Sequence, residues 1–364
     1  MKKLILFAFI LFHSVAFAKA ADYQVKLIAS DLGIPWGMVF ISNNELLFTE
    51  RSGRIGLLQI NTGKYHYLTN PANVFAKGQG GLLDVAVPPN FKKDDWIYFT
   101  YSKNINGEGA TTLAKAHYKD KTLQDWTDIL VTQSHSNTGH HFGSRIAFDN
   151  QGHLFFSVGD RGHRPNAQNL QTHSGSILRL NLNGSTPAEN PFTHNKNTLA
   201  EIWSYGHRNP QGLAWDTENN RLWAIEHGPR GGDEINLILK GKNYGWPIIS
   251  YGKEYWGPVS VGESTHKLGM EQPIKYYDPS IAPSSLMVYN GNAFPSWKGS
   301  LFAGALKLRH LNRVTLDYSG KPLSEERLLT ELKSRIRALT QDSNGYLYFS
   351  TDSGKIYRLQ PNYN

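Results

Sequence analysis

Six segments of the chain share one pattern of apolar and aromatic positions that is typical of β-strands. They lie among other short runs rich in aromatic and β-branched side chains, separated by turns of Gly, Asn, Asp and Pro. The six segments span residues 45–50 (ELLFTE), 96–101 (WIYFTY), 153–158 (HLFFSV), 221–226 (RLWAIE), 300–305 (SLFAGA) and 346–351 (YLYFST). They recur about every 60 residues, a length that fits one four-stranded blade.

This repeat predicts an all-β fold: a six-bladed β-propeller of four-stranded antiparallel blades, with residues 21–364 forming one domain. Few windows show the period of an amphipathic helix, and the best of them predicts a short helix at 324–332. Without helices alternating with the strands, a doubly wound sheet or a (β/α) barrel does not fit. A β-sandwich or a two-domain β protein is the remaining alternative.

The first 20 residues have the features of a secretory signal peptide. A basic start (residues 1–3, MKK) precedes an apolar run over residues 4–17, and small residues follow that suit cleavage after Ala18 or Ala20. An uncleaved anchor is the alternative. No later apolar run approaches the roughly 20 residues that a membrane-spanning helix needs. We therefore expect an exported protein with no membrane span in the mature chain.

Composition and charge exclude several kinds of chemistry. The chain has no cysteine, which rules out disulfides, zinc thiolate sites, iron–sulfur clusters and cysteine nucleophiles. Its net charge is +8, but the Lys and Arg residues are scattered, so we expect no nucleic-acid partner. The positive balance could still attract an anionic ligand. No dinucleotide-binding glycine turn, Walker loop or G-x-S-x-G elbow is present.

A histidine and an aspartate flank two neighbouring predicted strands. His141 precedes one strand and Asp160 ends the next, so the two side chains meet if the strands form a hairpin. A carboxylate bound to one imidazole nitrogen raises the basicity of the other, as a general base requires. A purely structural pair is one alternative. A zinc site built from His135, His140, His141 and His153 is another.

Several cations occupy positions that could converge on the propeller axis. Arg335 and Arg337 alternate on a predicted strand and so point to one face, where two like charges are costly unless an anion lies between them. Arg208 lies in a loop rich in polar side chains, and Lys307 follows another repeat segment. Together they could bind a small polyanion such as a tricarboxylate. Solvated surface charge is the alternative.

One loop carries candidate ligands for a hard cation. Residues 226–238 (EHGPRGGDEINLI) offer flexible backbone carbonyls and the two acids Asp233 and Glu234. Oxygen ligands of this kind suit Ca²⁺. An ordinary loop entering a strand is the alternative.

Taken together and in this order, these stretches resemble the soluble pyrroloquinoline quinone (PQQ)-dependent sugar dehydrogenases of the glucose/sorbosone dehydrogenase family, in particular its periplasmic aldose sugar dehydrogenases. The resemblance extends over residues 32–359. Its motifs are GGLLD (80–84), HFGSRI (141–146), GDRG (159–162), YGHRNPQG (205–212), EHGPRGGDEINL (226–237), NYGWP (243–247) and RIR (335–337).

The resemblance implies a six-bladed propeller that oxidises an aldose at its anomeric carbon to the lactone, with PQQ accepting a hydride and Ca²⁺ assisting. His141 would take the proton of the anomeric hydroxyl, Asp160 would orient His141, and Arg208 would stabilise charge at the quinone. The implied PQQ-binding residues are Gln79, Arg208, Asn209, Gln211, Tyr255, Lys307, Arg335 and Arg337. The implied Ca²⁺ ligands are Gly228 and Pro229 at the catalytic site, and Glu234 and Tyr244 at a second, structural site.

The expected partners follow from this resemblance. They are a small-molecule aldose and an electron acceptor in the periplasm, which the sequence does not identify, for a monomer or weak dimer. Two other functions stay open at this stage. One is a calcium-dependent propeller hydrolase acting on lactones, and the other is a non-catalytic propeller that binds a protein or glycan.

Overall fold

The computed structural model describes residues 22–68, 71, 73–91 and 96–362. The segment predicted to be a signal peptide, residues 1–20, lies outside the described residues. Within the described residues, strands β1 to β24 form six four-stranded antiparallel sheets. The prediction of a six-bladed β-propeller is confirmed.

In each blade the four strands are numbered from the innermost, first strand to the outermost, fourth strand. The first strands of neighbouring blades contact one another around the axis. Blade 1 contains β2 (Pro35–Phe40), β3 (Glu45–Glu50), β4 (Ile55–Gln59) and β5 (Tyr65–Tyr67). Blade 2 contains β6 (Leu82–Ala86), β7 (Trp96–Ile105), β8 (Glu108–Lys119) and β9 (Thr122–Val131). Blade 3 contains β10 (Ile146–Phe148), β11 (His153–Val158), β12 (Ser176–Asn181) and β13 (Ile202–Tyr205). Blade 4 contains β14 (Pro210–Asp216), β15 (Arg221–Glu226), β16 (Asp233–Ile238) and β17 (Lys275–Tyr277). Blade 5 contains β18 (Pro283–Val288), β19 (Leu301–Ala305), β20 (Leu311–Leu316) and β21 (Pro322–Leu328). Blade 6 contains β22 (Ile336–Gln341), β23 (Leu347–Thr351), β24 (Lys355–Pro361) and β1 (Tyr23–Ala29).

The two ends of the described chain close the ring. Strand β1 pairs antiparallel with β24, with Tyr23 opposite Pro361 and Ala29 opposite Ile356. Blade 6 is therefore built from both ends of the described sequence. This pairing completes the sixth sheet with a strand from the start of the chain.

The six repeat segments are the second strands of the six blades, and they are apolar on both faces for a physical reason. A second strand lies between two neighbouring blades, so each of its faces is covered. In β3, Leu46 and Phe48 pack with Tyr348 of blade 6, whereas Leu47 packs with Phe99 of blade 2. The hydrophobic core accordingly consists of clusters between adjacent blades rather than one central cluster.

Three short 3₁₀ helices, Arg164–Gln168, Pro295–Trp297 and Thr330–Leu332, lie outside the sheets. The helix predicted at 324–332 is wrong over most of its length, because β21 extends to Leu328. In β21 the backbone pairs with β20, and the Glu325 carboxylate accepts a hydrogen bond from Asn312 at 2.8 Å. No helix among the described residues is long and apolar enough to cross a bilayer.

Hydroxyl groups link neighbouring blades at a repeated position of the second strand. The Thr49 hydroxyl accepts the N–H of Gly37 in its own blade, at 3.0 Å, and donates to the carbonyl of Leu83 in the next blade. Equivalent interblade bonds join Thr100 to Ser144, Ser157 to Pro210 and Ser350 to Pro35. These interblade hydroxyls satisfy backbone groups where the first strands depart from regular pairing.

Blade 5 makes the same link by a different route. Its second strand carries Gly304 at the repeated position, and a Cβ there would lie 2.5 Å from the Ser284 hydroxyl oxygen. Ser284, from the first strand, uses this space and donates to the carbonyl of Ile336 in blade 6 at 2.6 Å. The missing side chain of the glycine is thus replaced by a hydroxyl from the neighbouring strand.

Candidate active site

The predicted site residues gather at one end of the propeller. Because successive strands are antiparallel, the first strand of every blade begins, and the second strand ends, at the same end. Gln79, His141 and Arg208 precede first strands, whereas Asp160 and Lys307 follow second strands. The chain topology therefore brings residues from distant parts of the sequence to this end, here called the site face.

His141 and Asp160 form a direct pair, as predicted from their flanking positions. The His141 Nδ1 lies 2.6 Å from Asp160 Oδ1, and the side chains are 14% and 1% exposed. The other carboxylate oxygen, Oδ2, accepts the indole N–H of Trp246 at 2.8 Å, and Oδ1 also accepts the N–H of Gly162. With Nδ1 donating to Asp160, His141 Nε2 is the free acceptor.

The backbone and electrostatics of this pair suit a neutral imidazole. His141 adopts a left-handed φ of 52°, and its N–H donates to the side-chain carbonyl of Gln79 at 2.8 Å. Burial, reinforced by the charge of Arg208, lowers the pKa of His141 although Asp160 opposes the effect. Burial also acts to raise the pKa of Asp160, but the hydrogen bond and charge of His141 outweigh it, so this pKa lies below its usual value.

A buried glutamate, which the sequence analysis did not single out, positions the Arg208 loop. Glu226 Oε2 accepts the backbone N–H of Arg208 at 2.7 Å and that of Asn209 at 3.4 Å. Its Oε1 lies 2.9 Å from the Nδ1 of buried His207. A local signal was present, since Glu226 is the charged last residue of the repeat segment 221–226 (RLWAIE).

Arg208 and Asn209 are thereby oriented at the site face. The Arg208 guanidinium donates to the carbonyl of His227 and to the hydroxyl of exposed Tyr255, both at 3.2 Å. Asn209 Oδ1 accepts the N–H of Gly143 at 3.1 Å. Its Nδ2 is buried and has no hydrogen-bond partner among the described residues. Such an orphaned donor is costly unless a ligand supplies an acceptor.

Gln211 differs from Asn209 because its amide is already used within the protein. Its Nε2 donates to the carbonyl of Gly143 at 3.1 Å and to Asn209 Oδ1 at 3.3 Å. In this arrangement Gln211 supports the neighbouring amide. It does not present a free donor in the way that Asn209 does.

The anion expected between Arg335 and Arg337 is part of the protein. The Asp352 carboxylate accepts from Arg335 Nε at 2.7 Å and from Arg337 Nε and Nη2 at 2.7 and 2.9 Å. Sequence reasoning missed this residue, because Asp352 lies on a different loop of the same blade. One carboxylate between two arginines still leaves an excess positive charge.

Two further cations lie beside this group. Burial and the neighbouring charge of Arg337 lower the pKa of Arg51, which the sequence analysis did not single out. Arg51 directly follows the repeat segment of blade 1, as Lys307 follows that of blade 5. Lys307 is exposed, and Arg335 Nη1 donates to the carbonyl of its neighbour Leu306 at 3.2 Å.

His227 lies near both the cationic group and the His141–Asp160 pair. Its Nε2 donates to the carbonyl of Pro283 at 2.5 Å. Burial, together with the charges of Arg208, His141 and Arg337, lowers the pKa of His227 to about 3. The His141 pair and the cations Arg208 and Arg337 therefore lie close enough to the same buried histidine to act on its charge.

The predicted Ca²⁺ loop is held in shape by Asp233. The carboxylate of Asp233 accepts the N–H of Gly228 at 2.9 Å and, from the segment between β17 and β18, the hydroxyl of Ser280 at 2.7 Å. The adjacent carbonyl of Pro229 accepts the N–H of Lys253 at 2.9 Å. Asp233 is therefore a structural residue of the loop, which leaves the backbone carbonyls as its candidate ligands.

Glu234 lies beside Glu226 in a buried pocket. A cavity of about 10 Å³, lined by both carboxylates and by Tyr244, has room for one water-sized species. Asn236 Nδ2 bridges the carboxylates at 3.3 Å each, and its Oδ1 is buried without a partner among the described residues. Burial and the charge of Glu226 raise the pKa of Glu234 to about 8. The Tyr244 hydroxyl is already bonded to the backbone of Leu237 and Leu239.

The alternative of a zinc site built from four histidines is wrong. His153 begins β11 at the end opposite Asp160, where its ring contacts Asp149 at 2.8 Å. His141 is engaged with Asp160. Among the described residues, no group of three or more His, Cys, Asp or Glu side chains could hold a metal ion.

Comparison with known proteins agrees with this architecture. The family model for glucose/sorbosone dehydrogenases matches residues 32–358. The aldose sugar dehydrogenase YliI of Escherichia coli (strain K12) is 38% identical over 358 residues, which cover 96% of this chain and 95% of that protein. Quinoprotein glucose dehydrogenase B of Acinetobacter calcoaceticus is 28% identical over 419 residues, covering 92% of this chain and 87% of that protein.

A solved structure extends the comparison to three dimensions. The PQQ-bound aldose sugar dehydrogenase of Streptomyces coelicolor has a TM-score of 0.77 and 25% identity, and the match covers 94% of this chain and 99% of that one. The three proteins named here are sugar dehydrogenases. The chain therefore belongs to the glucose/sorbosone dehydrogenase family.

Proposed function

We propose that this protein oxidises aldose sugars at the anomeric carbon to the lactone, with PQQ as the cofactor and Ca²⁺ as the assisting metal. The observation that carries the proposal is the His141–Asp160 pair, which shares one site face with Arg208 and a group of cations. The similarity to a quinoprotein and to a PQQ-bound aldose sugar dehydrogenase supports the choice of cofactor.

The cationic group fits PQQ, which carries three carboxylates. Arg51, Arg335 and Arg337 lie around a single carboxylate, that of Asp352, so further anionic groups would be bound favourably. Lys307 would add a cation next to Leu306, whose carbonyl accepts Arg335. The orphaned Asn209 Nδ2 supplies a buried donor for an acceptor oxygen. Gln79 and Tyr255 would complete the pocket from exposed positions at the site face, while Gln211 supports Asn209.

The calcium residues also fit their proposed role. Gly228 and Pro229 would offer backbone carbonyls beside the cofactor. At the second site, half-buried Glu234 and buried Glu226 lie next to the unsatisfied Asn236 Oδ1, a set of hard oxygen donors for Ca²⁺. Tyr244 would contribute its backbone carbonyl, because its hydroxyl is already used.

The proposed mechanism assigns one role to each polar side chain near His141. When bound, PQQ supplies a two-electron acceptor that Ca²⁺ polarises. His141 Nε2 accepts the proton of the anomeric hydroxyl while the hydrogen on that carbon leaves with its electron pair, so the C–O bond becomes the lactone carbonyl. Asp160 holds the imidazole and stabilises its protonated form, and the Arg208 guanidinium stabilises negative charge that develops nearby.

A hydrolase is less well supported than a dehydrogenase. Hydrogen bonds do connect Ser204, His207 and Glu226 in the order of a hydrolytic Ser–His–acid triad. His207 Nε2 lies 2.9 Å from Ser204 Oγ, and its Nδ1 lies 2.9 Å from Glu226 Oε1. However, Ser204 and His207 are fully buried, and the carboxylate is occupied in holding the Arg208 loop. This triad is therefore a structural support for the site, and a hydrolase would have no use for the cationic group.

We also propose that the protein is exported to the periplasm, after cleavage of the chain at Ala18 or Ala20. Residues 21–364 would then form the mature single domain. The mature N-terminus of protein recovered from the periplasm, read by mass spectrometry, tests this proposal. An N-terminus at Met1 would contradict cleavage.

The decisive experiment is dye-linked oxidation of a panel of aldoses with and without added PQQ and Ca²⁺. We expect activity only when both are present. In His141→Ala, turnover should fall at least ~10²-fold, the usual scale for loss of a general base, while PQQ binding persists. His140→Ala is the matched control, because this neighbouring histidine is exposed. The proposal would be contradicted if the wild type oxidised no aldose of the panel, or if His141→Ala turned over as fast as the wild type.

A further inference from the structure

Beneath the site face, one arginine side chain contacts all the innermost strands of the propeller. Arg145 lies at the start of β10 and is buried. Its Nε donates to the carbonyl of Gln211 in blade 4 at 2.8 Å, and its Nη2 donates to those of Ser284 and Arg337, in blades 5 and 6, at 2.6 and 3.2 Å. These bonds connect blade 3 with the three blades that follow it.

The remaining two blades are reached through a carboxylate and an aromatic ring. Arg145 Nη1 donates to Asp84 Oδ1 of blade 2 at 2.9 Å, and the guanidinium carbon lies 3.9 Å from the centre of the Trp36 ring of blade 1. Asp84 Oδ2 also accepts the N–H of Ile146 at 2.9 Å. Gly37 permits this approach, because a Cβ there would lie 2.8 Å from Asp84 Oδ1.

Each backbone group that Arg145 binds is next to a contact of the proposed site. Arg337 is itself one of the cations that bind Asp352. Ser284 follows Pro283, whose carbonyl accepts His227, and Gln211 donates to Asn209. A change in the spacing of the inner strands would therefore displace several site residues together.

We propose that Arg145, neutralised by Asp84, is a positioning residue whose planar fork of donors sets the spacing of the six inner strands and with it the geometry of the site. This inference rests on the proposed function only for the identity of the ligand that the site holds. A guanidinium is needed because its donors diverge in one plane, whereas an ammonium group is a compact point charge.

The first test measures positioning without any ligand. Hydrogen exchange, followed by mass spectrometry, compares Arg145→Lys and Asp84→Asn with Leu57→Ala, a core variant chosen to lose stability without touching the axis. Each variant is measured at the same interval below its own melting temperature. We then expect at least ~10-fold faster exchange over residues 139–145, 205–211 and 335–338 in Arg145→Lys and Asp84→Asn, but not in Leu57→Ala. Equal exchange in all three variants, or full protection in Arg145→Lys, would overturn the proposal.

The second test measures the consequence for the site by titration with PQQ and Ca²⁺, read by absorbance. Asp84→Asn leaves an extra positive charge below the cations, so simple electrostatics would tighten the binding of an anion. Positioning instead requires weaker binding, by about tenfold. Tighter binding in Asp84→Asn would overturn the proposal. If the wild type binds no PQQ, the proposed function fails, and the exchange experiment still decides the role of Arg145.

Discussion

Removal of one interblade hydroxyl gives a quantitative test of how the blades are held together. Thr49→Val replaces a hydroxyl by a methyl group of similar size, so no cavity forms. It leaves two buried backbone groups, the N–H of Gly37 and the carbonyl of Leu83, without their observed partner. At about 1–3 kcal/mol for each of the two unsatisfied buried groups, the expected loss is about 2–6 kcal/mol.

The assay is thermal unfolding followed by circular dichroism. An unfolding entropy of about 2.1 cal/mol/K per residue makes 1 kcal/mol equivalent to about 1.4 °C for a domain of this size. We therefore expect Tm to fall by about 3–8 °C. Thr112→Val is the control, since among the described residues the buried Thr112 hydroxyl bonds only to Ala110 of its own strand. A Thr49→Val shift no larger than that of the control would refute the interblade role.

Two further predictions concern ionisable groups at the site. Because burial lowers the pKa of His141 below its ordinary 6.5, kcat/KM should stay flat above that pH and fall only in more acidic solution, where the base becomes protonated. Asp160→Asn should move the inflection of the pH–rate profile lower still, and an inflection above pH 7 in the wild type would contradict the assignment. The pKa of Glu234 is raised from 4.5 to about 8, so the metal-free protein should lose stability as the pH rises between these values, where the folded chain binds a proton that the unfolded chain has released. Tm measured against pH in EDTA checks this, and a slope that survives in Glu234→Gln would show that another group causes it.

The sequence was informative wherever a local pattern had one structural meaning. The repeat around ELLFTE predicted the second strand of each blade, because only a strand covered on both faces is so uniformly apolar. The position of His141 before one strand and Asp160 after the next was enough to predict their contact. The short helix predicted at 324–332 failed because the pairing of β21 with β20 outweighed a weak helical period.

Residues missed by sequence reasoning share a different property. Asp352 and Arg145 have no distinctive local pattern, and Glu226 is marked only by its charge at the end of a repeat segment. The roles of all three depend on partners that lie on other strands or in other blades. The two facing arginines at 335 and 337 correctly indicated a nearby anion. Only the folded chain shows that Asp352 is one such anion.

By itself, the sequence determined the number of blades, one strand of each blade and which loops carry polar chemistry, since these follow from patterns along the chain. Tertiary structure decided which loops meet. The closure of the ring by β1 and β24 brings Arg51 from blade 1 beside Arg337 from blade 6. It also lets the side chain of Arg145 reach all the inner strands at once. Such contacts depend on the three-dimensional arrangement of six blades around an axis, which no local pattern encodes.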